Sequence, residues 1–215
     1  MAIEILENLR QSIIEGDAGA VLNSVKTAIK QGISAKIIIQ EGLVPGIKVV
    51  GELFNKGDYY LPELIITGKA MQVALDHIEP LLKKGEKVQS GKFLIGTVKG
   101  DIHDLGKNIV IMMLKGSGWE VTDLGVDVSP DKFCLAVREG NYDILGMSTL
   151  LTVTMPAAVQ TVDALKEAGL RNKIKIMIGG APVTQDFSDK IGADAYGSDG
   201  WDAVVKAEKL ISNKN

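Results

Sequence analysis

The second part of the chain alternates short β-rich runs with helical stretches, and this alternation constrains the fold most. Strands are predicted at 93–98, 120–124, 144–148, 175–178 and 193–196, with helices at 105–116, 130–140, 155–169, 184–191 and 200–212. Five strands separated by helices predict an α/β fold, a doubly wound parallel sheet with right-handed crossovers. In such a sheet a ligand binds beyond the carboxyl ends of the strands, at the switch point.

Helical periodicity fills the first 84 residues. Apolar or small residues recur in steps of four and three at Leu64, Gly68, Met71, Leu75, Ile78 and Leu82, as along a bundle seam. Pro45 is predicted to kink or split a third helix, and Pro62 suits the first turn of a fourth. The pattern predicts an N-terminal four-helix bundle, and the polar segment 83–91 reads as a linker. The expected domains are 1–87 and 92–215.

Charge and cysteine content exclude several classes of function. The net charge of −3 gives no basic excess, so nucleic acid is not an expected partner. The single Cys134 excludes an internal disulfide and a cysteine-rich metal site. No apolar run approaches the ~20 residues that span a bilayer, so no membrane partner is expected. The start of the chain has no secretory signal, and we expect a cytoplasmic protein.

Segment 100–108, directly after the first predicted strand, is the richest in functional groups, but it does not match a phosphate-binding loop. Five residues separate Gly100 from Gly106, where a P-loop has four. Asn108 follows Lys107, where a P-loop has Ser or Thr. A dinucleotide fingerprint fails as well, because a carboxylate and an imidazole stand where that tight turn requires small residues.

Asp101 and His103 are better interpreted as a pair. A carboxylate two residues before an imidazole can accept its N–H, fix the tautomer and leave the other nitrogen free for a metal. Zinc would require more ligands than this chain offers, whereas one protein ligand suffices for a metal that arrives in a macrocycle with four equatorial nitrogens. The alternative is a capping Asp beside a solvated loop His.

Two further segments follow later strands. Ser148-Thr-Leu150 ends the third strand, with Thr152 and Thr154 just beyond it. Gly179-Gly180 ends the fourth, where two glycines allow a flat group to lie against the backbone. Each segment taken singly also fits an ordinary strand-to-helix turn.

Together these segments read Asp-x-His-x-x-Gly, 41 residues, Ser-x-Leu, 28 residues, Gly-Gly. This pattern resembles the signature of cobalamin-binding domains of the methionine synthase and corrinoid methyltransferase type. The resemblance implies that His103 replaces the benzimidazole of the cofactor as lower axial ligand to cobalt. It also implies that Asp101 hydrogen-bonds His103, with the Thr154 hydroxyl behind that Asp.

The same resemblance assigns further residues to the corrinoid. Ile102 lies within the ligand motif, and Gly106 would give the nucleotide tail room at the start of the helix. The remaining residues that would line the tail channel or approach the buried base are Ser148, Leu150, Thr152, Gly179, Gly180, Tyr196 and Gly197.

The helical half resembles the cap that precedes this domain in the methyltransferase group. There, an aromatic residue and a leucine seven residues apart cover the upper face of the corrin, and Phe54 and Leu61 match that interval. Their apolar surface would shield the cobalt from water until a partner displaces the cap. The alternative is that both residues belong to the core of the bundle.

The resemblance implies a carrier of methyl groups on cobalt and not a complete enzyme. The implied partners are a substrate-specific methyltransferase, an acceptor methyltransferase that uses tetrahydrofolate or a thiol, and an ATP-dependent corrinoid reactivase. One alternative is a subunit of an adenosylcobalamin isomerase, which generally lacks the helical cap. Another is a cobalamin-dependent sensor or regulator, which usually carries a cap tryptophan that the helical half lacks. The methyl donor, the acceptor and the exact corrinoid stay open.

Overall fold

The computed structural model describes residues 2–81 and 90–212, and for Asn55 and Glu79 the backbone only. The chain divides into two compact units. The first comprises Met1–Gln89 and Met112–Trp119, and the second comprises Ser90–Ile111 and Glu120–Asn215. The division therefore cuts through one helix, where the sequence suggested two continuous domains.

The described part of the first unit is helical, as the periodicity predicts. Its elements are α1 Ala2–Glu15, α2 Ala18–Lys30, α3 Ala35–Ile37, a π-helical stretch Ile38–Leu43, α4 Val44–Lys56, α5 Leu61–Ile78 and a 3₁₀ turn Glu79–Leu81. Since α3, the π-helical stretch and α4 follow one another without a break, they form one helical region, and four helices result. The sequence predicts an interruption at Pro45, and the π-helical stretch lies shortly before that residue. Proline has no N–H to donate to the carbonyl four residues earlier, so the regular α-helical pattern is broken there.

Apolar stripes on these helices form the core of the first unit. The fully or almost fully buried side chains include Leu9, Ile13, Val21, Val25, Leu64, Met71 and Ile78. Most of the predicted seam on α5 is buried, although Leu75 is only half-buried and Leu82 lies outside the described residues. Most of the predicted linker lies outside them too.

The second unit is a five-stranded parallel sheet with helices between successive strands. The strands are β1 Lys92–Thr97, β2 Glu120–Asp123, β3 Ile144–Ser148, β4 Lys175–Gly179 and β5 Ala195–Gly197. The helices are α6 Leu105–Gly116, α7 Pro130–Glu139, α8 Met155–Glu167, α9 Gln185–Ile191 and α10 Gly200–Ser212. The strand order β2-β1-β3-β4-β5 is the flavodoxin-like order, and the predicted fold class is confirmed.

The topology places the carboxyl ends of β1 and β3 side by side. The chain leaves β1 for β2 on one side and then crosses to β3 on the other, which makes this the switch point. Thr97 pairs with Ser148 at the end of the ladder, and the Val98 N–H donates to the Ser148 carbonyl at 3.0 Å. The loops after β1 and β3 are therefore neighbours.

Within the described residues, no helix combines the length and the apolar character that crossing a bilayer requires.

Candidate functional site

The loop that joins β1 to α6 is shaped by hydrogen bonds at both of its ends. The Asp101 N–H donates to the Val98 carbonyl at 3.1 Å, which turns the chain directly after the strand. The buried Thr97 hydroxyl donates to the His103 carbonyl at 3.0 Å. Asp101 is fully buried, whereas the His103 side chain is 48% exposed. The loop thus anchors the carboxylate in the protein and leaves the imidazole at the surface.

The Asp101 carboxylate accepts hydrogen bonds on both oxygens. Oδ1 accepts from the His103 backbone N–H at 3.0 Å and lies 2.8 Å from His103 Nδ1. Oδ2 accepts from the Leu150 N–H at 2.7 Å and from the Thr154 hydroxyl at 2.9 Å. The carboxylate therefore joins the loop after β1 to the loop after β3.

These contacts determine the proton arrangement of the pair. Burial raises the pKa of Asp101, but hydrogen bonds from the backbone of His103 and Leu150, the His103 ring and Thr154 outweigh it. The pKa therefore lies well below its usual range, and the carboxylate is ionised at neutral pH. An ionised carboxylate only accepts, so Nδ1 must donate the proton. In the neutral imidazole Nε2 then carries the lone pair, and it has no hydrogen-bond partner in residues 2–81 and 90–212.

A second buried hydroxyl extends this arrangement. Thr149 Oγ1 lies 2.7 Å from Thr154 Oγ1, and both residues are buried. The Leu151 carbonyl also lies 2.8 Å from the Thr154 hydroxyl, and it accepts the Thr154 N–H at 3.1 Å. A charged acceptor is the stronger one, so Thr149 donates to Thr154 and Thr154 donates to Asp101. Thr149 lies inside the Ser148-Thr-Leu150 motif but was not among the predicted site residues.

The glycine pair after β4 has an internal steric role. A Cβ on Gly180, at a φ of +132°, would lie 1.8 Å from the Thr149 carbonyl oxygen. A Cβ on Gly179 would lie 2.9 Å from the carbonyl oxygen of Gly197, its partner on β5. The structure therefore brings these glycines against neighbouring backbone, in addition to any ligand that they were expected to accommodate.

The start of α6 has open space on one side. A Cβ on Gly106 would have no neighbour within 4 Å, unlike those on the glycines after β4. The Lys107 ammonium is almost fully buried and is bound to Asp123 at 2.5 Å and to Asn108 at 3.0 Å. Because that ammonium is committed to protein groups, the exclusion of a P-loop holds.

Among the described residues of the second unit, most exposed large apolar side chains lie in or next to the loops that follow β1, β2 and β3. Soluble proteins rarely expose contiguous apolar surface unless it binds something. At least a third of each of these residues is exposed: Ile102, Leu105, Val126, Leu150, Leu151 and Val153. We call this set the apolar rim. Since the three strands are neighbours, the rim belongs to the same edge of the sheet as His103, and it suits a large ligand with apolar faces.

Other predicted site residues lie elsewhere in the second unit or in the first. Ser148 is half-buried and Thr152 is exposed at the end of β3. Tyr196 and Gly197 lie on β5, three strands and roughly 14 Å from β1. The half-buried Tyr196 ring packs against the sheet core, with the Lys206 ammonium 5.5 Å from its centroid. The structure does not bring this ring to the Asp101–His103 pair.

Phe54 and Leu61 flank one loop of the first unit. Phe54 lies near the end of α4 and is half-buried, and Leu61 begins α5 with 38% of its surface exposed. Gly57 ends α4 at a φ of +80°, and the Tyr59 hydroxyl donates to the Ile14 carbonyl at 3.0 Å. The loop is therefore tied down, and neither side chain is fully buried as a core residue would be.

The donor set at His103 fits a metal that brings most of its own ligands. No three side chains of His, Cys, Asp or Glu come together as a metal cluster in the part of the chain that the structure describes. One imidazole with an oriented, unpartnered Nε2, an apolar rim and open space at a helix start instead suit a metallated macrocycle. Fold and site together define a protein of the cobalamin-binding class.

Comparisons with known proteins agree with this class. A family described as B12 binding domain matches residues 91–205, and a second B12 binding domain family matches residues 5–79. Dimethylamine corrinoid protein 1 of Methanosarcina acetivorans is 40% identical over 210 residues, covering 97% of this chain and 98% of that protein. A corrinoid protein of Desulfitobacterium hafniense is 39% identical over 214 residues, covering 98% and 99%.

Solved structures agree as well. A cobalamin-binding protein from Desulfitobacterium hafniense has a TM-score of 0.80 at 36% identity, covering 95% of this chain and 98% of that one. A chain of the methanol:cobalamin methyltransferase complex from Methanosarcina barkeri has a TM-score of 0.86 at 31% identity, covering 97% and 80%. This chain belongs to the family of B12-binding corrinoid proteins, and its cofactor is a cobalamin-type corrinoid.

Gly106 tests the use of the open space at the start of α6. Gly106→Ala should leave the free energy of unfolding of the apo-protein unchanged or raise it by up to ~1 kcal/mol, because alanine favours helix and meets no atom. Corrinoid affinity should fall about tenfold if the cofactor fills that space, which corresponds to ~1.4 kcal/mol. Equilibrium titration measures the affinity, with Gly19→Ala on α2 as control. An unchanged affinity would show that the space is not used.

Proposed function

We propose that this chain carries a methyl group between two methyltransferases, on a corrinoid whose lower axial ligand is His103 in place of the cofactor's own benzimidazole. The cofactor supplies a cobalt centre that accepts and releases the methyl group. In this proposal the chain is a carrier and not a complete enzyme. Its described helical residues serve as a cap and its α/β part, residues 92–215 in the sequence prediction, serves as the corrinoid domain.

The Asp101–His103 pair is the observation that supports His103 as the ligand. The ionised, buried carboxylate holds the proton on Nδ1, so Nε2 of the partly exposed imidazole presents a lone pair without losing a hydrogen bond. The partner carboxylate also makes the imidazole a better donor. Such a ligand can bind and release a metal as the electron demand of the metal changes, which methyl transfer requires of a lower ligand.

The loops around His103 would bind the rest of the cofactor. Ile102 and the rest of the apolar rim offer apolar surface to the corrin. Gly106 leaves room for the nucleotide tail. The residues that we assign to the tail and its base on the strength of the family pattern are Ser148, Leu150, Thr152, Gly179, Gly180, Tyr196 and Gly197.

The names of the relatives guide the choice of partners. Relatives are named dimethylamine and trimethylamine corrinoid proteins, and a structural neighbour comes from a methanol:cobalamin methyltransferase complex. Methylamines are therefore the first donors to test and methanol the second. We propose a substrate-specific methyltransferase, a tetrahydrofolate- or thiol-dependent acceptor methyltransferase and an ATP-dependent reactivase as partners. The same names favour this function over a subunit of an adenosylcobalamin isomerase or a cobalamin-dependent sensor or regulator.

The carrier role predicts that the isolated protein does not turn over free donors. Release of a methyl group from an amine or alcohol requires an acid, cation or Lewis acid at the leaving atom. The buried titratable groups at the His103 loop are already committed, Asp101 to five donor groups and Lys107 to Asp123. Reduced holo-protein should therefore be methylated by dimethylamine, trimethylamine or methanol only when a cognate methyltransferase is added.

Absorbance of the cofactor measures this methylation, with His103→Ala and the exposed His77→Ala as paired variants. Methylation at an enzymatic rate without any partner would overturn the carrier role. Slow reaction with methyl iodide would not, because reduced cobalt attacks that reagent unaided.

We also propose that Phe54 and Leu61 cover the upper face of the corrin. Their spacing matches the family cap, and both present apolar surface that is not fully buried. Such a cover would exclude water and retain reactive species until a partner displaces it.

The cap is tested by replacing Phe54 and Leu61 together with alanine. Corrinoid affinity should stay within about threefold, because the loops of the α/β part supply most contacts, whereas photolysis of the methylated cofactor should become several times faster. The double variant Ile3→Ala/Ile37→Ala removes exposed apolar surface elsewhere on the helical unit and should leave photolysis unchanged. Equal photolysis rates in all three proteins would return Phe54 and Leu61 to a purely structural role.

A further inference from the structure

The loop between β2 and α7 runs beside the end of β1 and the start of the His103 loop. The Thr97 N–H donates to the Gly125 carbonyl at 3.0 Å, and the Val128 N–H donates to the Thr97 carbonyl at 2.9 Å. Val98 and Val128 form a parallel bridge. Residues 125–128 therefore act as a short extension of the sheet on the side of β1 that faces away from β3.

Asp127 makes two hydrogen bonds from this loop to the backbone of the His103 loop. Its own N–H donates to the Asp101 carbonyl at 2.9 Å. Its carboxylate oxygen Oδ1 accepts the Gly100 N–H at 2.7 Å. The Asp101 main chain is thus held from the β2 side, whereas its side chain is held from the β3 side by Leu150 and Thr154.

Asp127 adopts a backbone conformation that non-glycine residues avoid. Its φ of +51° makes it the one non-glycine residue with positive φ in residues 2–81 and 90–212. That conformation is strained for an L-residue, although Asp and Asn adopt it more readily than most. Glycine would adopt it without strain. The presence of Asp is therefore explained by its carboxylate, which accepts a charge-assisted hydrogen bond from the Gly100 N–H.

We propose that Asp127 is a positioning residue for the corrinoid site, which fixes the Gly100–Asp101 backbone so that the Asp101 carboxylate meets His103 in one geometry. Asp127 is exposed, so its side chain adds no buried apolar contact to the core. Asp101, by contrast, is held by hydrogen bonds at both carboxylate oxygens, at its backbone carbonyl and at its backbone N–H. A shift of Gly100 would be transmitted directly to the ring of His103. The effect on the cofactor rests on the proposed role of His103.

The substitutions at this position separate backbone conformation from hydrogen bonding. Asp127→Asn tolerates positive φ and keeps an oxygen acceptor, so it should restore wild-type behaviour. Asp127→Gly tolerates positive φ but has no acceptor. Asp17→Gly is the matched control, because Asp17 is an exposed residue whose carboxylate also accepts one backbone N–H, that of Ala20 at 2.9 Å.

Hydrogen exchange of the apo-protein gives the first measurement. In Asp127→Gly the Gly100 amide should exchange at least about tenfold faster, since a hydrogen bond to a charged group is lost. Asp127→Asn and Asp17→Gly should leave that amide within about threefold of wild type. The melting temperature should be nearly unchanged in all three variants, which separates local loosening from unfolding.

Equilibrium titration with a corrinoid gives the second measurement. Asp127→Gly should weaken binding several-fold, and Asp127→Asn should retain wild-type affinity. The proposal is overturned if Asp127→Gly leaves both the Gly100 amide and corrinoid affinity unchanged, or if Asp127→Asn is as defective as Asp127→Gly. Should His103→Ala leave affinity unchanged while the Gly100 amide still responds to Asp127→Gly, the proposed ligand is wrong and the positioning of the loop stands.

Discussion

The buried carboxylate of Asp101 is the interaction on which the site depends. Burying a charged group away from water is energetically unfavourable unless hydrogen-bond donors surround it. A buried polar group that is left without a partner destabilises the fold by kilocalories per mole. The protein supplies five donors: the backbone N–H and imidazole of His103, the backbone N–H groups of Leu150 and Leu151, and the Thr154 hydroxyl. Because the ionised carboxylate accepts the Nδ1 proton, it fixes the orientation of the His103 imidazole. The free Nε2 of His103 is a consequence of that arrangement.

The sheet makes this arrangement possible by bringing distant segments together. Residues 101 and 150 are far apart in the chain, yet β1 and β3 are paired neighbours, so their loops meet. Gly180 lets the β4 loop approach the Thr149 backbone without a clash. Thr149 in turn directs the Thr154 hydroxyl toward Asp101. Three strand ends thus contribute to the state of one imidazole, and the β2 loop adds a fourth contribution through Asp127.

The fold and the ligand pair could be predicted from the sequence because their signals are local. Alternation of β-rich and helical segments places all five strands within two residues of their observed ends, and Asp101 and His103 are two residues apart. Thr149 and Asp127 could not be found this way, because their roles arise from contacts across the sheet and from one backbone angle. The pattern of the glycines after β4 gave no sign of their close approach to neighbouring backbone, which depends on the pairing of β4 with its neighbours. The hydrophobic periodicity of the sequence also gives no sign that α6 is divided between the two units.

The identity of the axial ligand tests the account most directly. Electron paramagnetic resonance of the Co(II) holo-protein resolves splitting from the axial nitrogen, and selective ¹⁵N-histidine labelling identifies its source. If His103 is the axial ligand, the splitting changes its multiplicity on histidine labelling, disappears in His103→Ala and persists in His77→Ala. A splitting that ignores histidine labelling and follows a labelled benzimidazole would contradict it.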